Sequence, residues 1–200
     1  MPAGCSTHVE EASDGGQLVS RFLSSLRKVT LHDHLDGSLR PATIVDLARD
    51  QGYTGLPTTN VEELADWFDQ GMPGNSLETY LQTFVHTVSL LQDEDAIRRV
   101  TREWVEDVAA EGVDYGEVRI APELMTTRGL SMERVVGTIA DELTIAGARH
   151  GVTAALICCA MRTEDKSLDV ARIVANRVGS NVVAFDLAGS EKGGPARLHK

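Results

Sequence analysis

The chain has 200 residues, 42% of them hydrophobic and 24% charged, a balance that suits one soluble globular domain and excludes wholesale disorder. Its 19 Lys and Arg against 30 Asp and Glu leave a formal net charge of −11. A surface of that sign repels phosphate backbones and anionic lipid, so nucleic acid and membrane are excluded as first partners, whereas a neutral nucleoside or base meets no such penalty.

Residues 1–16 have neither a basic start nor an apolar stretch, and they read as a flexible tail before a folded domain over 17–200. Leu18, Phe22, Leu23 and Leu26 recur at helical spacing, which predicts a short lead-in helix. Residues 29–35 alternate around two histidines and end at Asp36-Gly37, a strand followed by a turn. Ser38 is expected to cap the next helix, with Pro41 near its first turn and Ile44, Val45, Leu47 and Ala48 on its apolar face. Residues 52–75 are irregular, interrupted by a short helix at 61–69. Ser76 opens a longer helix in which Leu77, Tyr80, Leu81, Phe84 and Val88 share one stripe. Another helix covers 94–111 and stops at Gly112.

Beyond Gly112 the rhythm changes. Strands are expected at 113–121, 152–161 and 182–187, separated by helices at 131–150 and 164–178 that close on Gly151 and Gly179. Such alternation implies a parallel sheet with right-handed crossovers. Four strands are recognisable in all, whereas a closed (β/α)8 barrel needs eight and typically about 250 residues. Four strands left open would have two unpaired edges, so the reading is either an open α/β sheet or half a barrel with a helical insertion after strand 1. The cysteines are Cys5, Cys158 and Cys159. The adjacent pair points to opposite faces of a strand, so no disulfide framework is expected and a reducing cytoplasm fits. The nearly apolar run at 152–161 is too short to cross a bilayer.

His32 and His34 are two apart on the first strand, so both imidazoles project from one face while Asp33 points the other way. Two nitrogens on adjacent pleats can reach one cation, a spacing suited to zinc; the alternative is a pair of hydrogen-bonded histidines at a strand end. Asp36 follows at the C-terminal end of the strand, where parallel-sheet enzymes collect their functional groups.

The stretch LHDHLDGSLRPATIVDLA closely resembles the N-terminal signature of the adenosine deaminases, within the metal-dependent amidohydrolase superfamily. SLETYLQTF (76–84) resembles the helix that closes over the purine pocket in that family, EVRIAPEL (117–124) its second barrel strand, and VVAFDLAGSE (182–191) its fourth strand and loop. The four motifs are in family order and span about 28–191. LHDHLDGSLRP and FDLAGSE are most similar to actinobacterial versions.

The resemblance implies a (β/α)8 barrel of which this chain supplies about the first four strands. It implies His32 and His34 as ligands of one zinc ion, with His34 also near the substrate. Asp36 would accept a hydrogen bond from the ribose hydroxyl, and Gly189 would present its backbone to the purine ring. Leu77, Tyr80, Leu81 and Phe84 are either plain core or the apolar wall above the base. Glu117 and Arg119 alternate on one strand and are expected to face the barrel interior and pair there, in a structural role. Cys158 and Cys159 are expected to be buried packing residues.

The implied reaction is hydrolytic deamination of adenosine or deoxyadenosine to inosine and ammonia, with a small purine nucleoside as the partner. The family's third histidine ligand, its His-Ala-Gly-Glu glutamate, a further histidine and an Asp-Asp pair all follow the fourth strand, and none is in this chain. No catalytic residue is therefore assigned within it, and alone it is expected to bind zinc weakly and turn over little, as the N-terminal half of a longer enzyme. Two alternatives stay open: a deaminase of adenine or another aminopurine, and a degenerate, non-catalytic binding module.

Overall fold

The computed structural model of the chain describes residues 19, 22–23, 25–70, 77–191 and 194–199. The tail expected at 1–16, Leu18 and Ser76 lie outside these. The frame is a parallel sheet of β1 (Lys28–His34), β2 (Val113–Ile120), β3 (Thr153–Met161) and β4 (Val182–Ala188), hydrogen-bonded in that order. Between β1 and β2 run four helices, α1 (Pro41–Gln51), α2 (Val61–Gln70), α3 (Leu77–Leu90) and α4 (Glu94–Ala110). Helix α5 (Met132–His150) joins β2 to β3, and α6 (Ser167–Ala175) joins β3 to β4. This is the expected parallel sheet with an insertion after its first strand.

Strand alternation divides the sheet into two faces. Val118, Leu156, Cys158 and Ala160 pack outward into the main core with Ile97, Val100, Trp104 and Val105 of α4 and Val136, Ile139 and Leu143 of α5. Ala121, Ile157 and Cys159 form a second, smaller apolar cluster on the inner face. The two cysteines therefore belong to different layers although they are adjacent, and both are free and buried.

Local chemistry sets the helix limits. Asp93 accepts from Ala96 N at the start of α4, and Ser131 accepts from Arg134 N at the start of α5, each satisfying an otherwise unpaired amide. Helix α5 ends at Gly151, whose φ of 75° is the left-handed geometry a glycine adopts without penalty.

Two expectations are corrected. Ser38 does not cap α1, because the helix begins at Pro41 with Arg40 in the capping position; the Ser38 hydroxyl turns back to His34 O (2.6 Å) and Asp33 Oδ1 (3.1 Å). Helix α6 is shorter than 164–178 at both ends. Glu164 N bonds to Met161 O in a turn, and the helix closes on Asn176 before the bend to Gly179. No helix among the described residues is long and apolar enough to cross a membrane.

Candidate active site

The C-terminal ends of the strands gather the residues singled out from the sequence. His32 and His34 project from the same face of β1, their ring centroids 5.4 Å apart and their planes inclined by 42°. Asp33, between them, points to the opposite face, where Oδ2 accepts from Trp104 Nε1 at 2.7 Å. Immediately after β1 the chain makes a single tight turn, Leu35–Gly37, that buries Asp36. Asp36 Oδ1 lies 3.7 Å from His34 Nδ1, too far for a hydrogen bond, and is buried with no hydrogen-bond partner among the described residues. A buried carboxylate oxygen without a donor is costly unless something supplies one, as a ligand hydroxyl would.

From the other side, the Phe84 ring of α3 meets His34 edge-on, with centroids 6.1 Å apart. Beside Asp36 and Gly37 is a cavity of about 280 Å³ also lined by Leu39, Ile44, Phe68 and Phe84. The side chains of Leu77, Tyr80 and Leu81 lie outside the described residues, so of that stripe only Phe84 can be placed against the site.

At the end of β4, Gly189 takes a φ of 93°, and a Cβ there would stand 3.2 Å from Met161 Cε. Both facts favour glycine at this position. The approach to Gly189 is held from below: Arg119 Nη1 donates to Asp186 Oδ2 at 2.7 Å, and Asp186 Oδ1 accepts from Leu187 N at 2.8 Å. The expected Glu117–Arg119 pair is not made. Glu117 instead accepts from the Tyr115 hydroxyl at 2.7 Å, because the guanidinium reaches over β3 to β4.

One residue of the region escaped sequence reasoning. Glu123, in the short turn Pro122–Met125 after β2, accepts from Met161 N through Oε1 at 2.5 Å, while Oε2 is buried without a partner among the described residues. Burial pushes its carboxyl above the ordinary range, partly opposed by the Met161 N–H. The only available signal was its place just beyond a strand end in the APEL stretch. Burial also pushes the thiols of Cys158 and Cys159 up to about 12.

The imidazoles of His32 and His34, on one face of one strand, suit two nitrogen positions of a zinc ion. Among the described residues no group of three or more His, Cys, Asp and Glu side chains could hold a metal.

The family model described as adenosine deaminase matches residues 27–200. The adenosine deaminase of Mycobacterium avium is 44% identical over 177 residues, covering 86% of this chain and 48% of that protein. The chain thus spans about half the length of the curated relatives it matches. Among solved structures, an adenine deaminase from Arthrobacter aurescens superposes with a TM-score of 0.72 at 28% identity, covering 86% of this chain and 51% of that one. An amidohydrolase from Burkholderia ambifaria, solved with bound Zn, has a TM-score of 0.76 at 23% identity over 96% of this chain and 51% of its own, a likeness of fold alone. The α/β fold is that of the (β/α)8 barrel hydrolases.

Proposed function

The chain belongs to the adenosine deaminase family, and from that premise we propose that residues 17–200 are the N-terminal half of a zinc-dependent barrel that hydrolyses adenosine or deoxyadenosine to inosine and ammonia. The observation that carries the reading is the convergence of His32, His34 and the buried Asp36 Oδ1, which has no donor among the described residues, at one end of β1. His32 and His34 would hold the metal, which when bound supplies Lewis-acid activation of water. Asp36 would accept the ribose hydroxyl, its orphaned Oδ1 gaining the donor it lacks. Gly189 would let its peptide lie against the purine edge, with the Arg119–Asp186 pair steadying the strand end that carries it. Phe84 would form part of the wall beside His34. The setting we propose is the cytoplasm, consistent with two free buried cysteines.

Ammonia release from a panel of adenosine, deoxyadenosine and adenine by the complete barrel tests this. The coding sequence past Lys200 is expected to add a strand bearing His-Ala-Gly-Glu within a few tens of residues. If none follows, the half-barrel reading is wrong. The 200-residue chain assayed alone is expected to release little ammonia.

The second reading is deamination of free adenine, favoured by the structural likeness to the Arthrobacter adenine deaminase. The buried Asp36 weighs toward a ribosyl substrate. Preference for adenine over adenosine in the panel, unaffected by Asp36→Ala, would reverse that choice.

A further inference from the structure

Asp33 stands between the two histidines yet turns away from them, and the reading above leaves it without a role. Its carboxylate is nonetheless held at both oxygens. Oδ2 accepts from Trp104 Nε1 at 2.7 Å, and Oδ1 faces the Ser38 hydroxyl at 3.1 Å, a hydroxyl shared with the His34 carbonyl at 2.6 Å. Trp104 is 1% exposed, and its indole N–H can only donate, so a fixed acceptor is the partner it requires. The ring is seated on β2 at Gly116, where a Cβ would come within 2.8 Å of Trp104 Cη2 and 3.3 Å of Thr30 Cγ2.

The register of β1 shows why such an anchor matters. Thr30 pairs with Gly116, but Asp33 pairs with Val118, so three steps along β1 answer two along β2. At an irregularity of this kind the ladder alone does not set which face the next side chain takes, and a one-residue slip would turn the following side chains over. Fixing Asp33 outward fixes its two neighbours inward.

We propose that Asp33, held by Trp104, is a positioning residue for the His32–His34 pair: it restores strand phase after the irregularity and thereby aims both imidazoles at one point. The proposal rests on the reading of these histidines as metal ligands.

The test is Co2+ titration of the complete barrel, whose sequence continues past Lys200, followed by its visible d–d absorption, for the wild type, H32A/H34A, D33A, D33N, W104F and D33A/W104F. Far-UV circular dichroism is recorded on each. D33A and W104F are each expected to weaken Co2+ binding about tenfold and to change the band. The double variant should bind no worse than D33A, and D33N, which keeps an acceptor for the indole, should recover most of the affinity. D33A binding within about twofold of wild type, penalties that multiply in the double variant, or D33N as weak as D33A would each overturn the proposal while leaving the metal reading intact. So would a loss of affinity in W104F that only tracks a loss of native dichroism. A wild type that binds Co2+ no better than H32A/H34A removes the metal reading, and the proposal with it.

Discussion

Arg119 Nη1 donates to Asp186 Oδ2 at 2.7 Å across the inner face of β3, tying the second strand to the fourth just ahead of Gly189. The partners are unequal: the Arg119 side chain is 11% exposed and that of Asp186 44%. Asp186→Ala strands a buried guanidinium and is expected to cost about 3 kcal/mol in urea unfolding. Arg119→Met lets a half-exposed carboxylate turn to water and should cost about 1 kcal/mol. Equal penalties would contradict this account of the pair.

Glu123 links stability to acid. Burial holds its folded pKa above the ordinary 4.5, so the folded chain keeps a proton that the unfolded chain releases. Its favourable contribution is complete below 4.5 and is lost as pH rises through the folded pKa. Glu123→Gln keeps an acceptor for Met161 N and removes the charge. Its melting temperature at pH 7 should exceed the wild type's by about 1–3 °C, with the difference vanishing toward pH 4. A variant less stable at pH 7 would refute the assignment.

The thiols of Cys158 and Cys159 predict the alkaline limb. Each is pushed from 9.0 to about 12 in the fold, so stability present below pH 9 is lost as pH rises from there toward 12. In a Cys5→Ser background, a chromogenic disulfide reagent at pH 8 should find no fast-reacting thiol in the native chain and two after denaturation. A fast native reaction would show one of them to be accessible.

Two glycines of α5 should respond with opposite sign to alanine. A Cβ at Gly147 would stand 2.6 Å from Val152 O, a backbone atom fixed by the helix end, so Gly147→Ala should lower stability by about 2 kcal/mol. At Gly137 the nearest atom is Arg177 Nη2 at 3.1 Å, on a side chain that can move aside. Gly137→Ala should therefore show the ordinary helix gain, up to about 1 kcal/mol. Thermal melts of the two variants side by side decide the matter.

What could be read from sequence followed periodicity. The alternation through Leu156, Ile157, Cys158 and Cys159 does sort those side chains into two layers. The two-residue spacing of His32 and His34 does put both rings on one face, with Asp33 behind. Pairings over long sequence distance were hidden. Trp104 meets Asp33 and Arg119 meets Asp186 only because the crossover helices and strand order bring them together. Arg119 and Glu117 looked like partners from alternation, yet lateral reach over β3 decided otherwise. Ser38 had the chemistry of a helix cap, but the start of α1 at Pro41 left its hydroxyl to the end of β1.

The strand carrying both histidines is one of the two edges of the described sheet, and its ladder to β2 is broken in register at two places. Amides in such a strand open at a fraction of the free energy needed to unfold the core strand β3. The imidazole pair is thus mounted on a strand whose ladder is twice interrupted, and a bound cation would act there as a clasp against fraying. Amide hydrogen exchange along residues 28–34 would register metal occupancy as slowed exchange, without any turnover being measured.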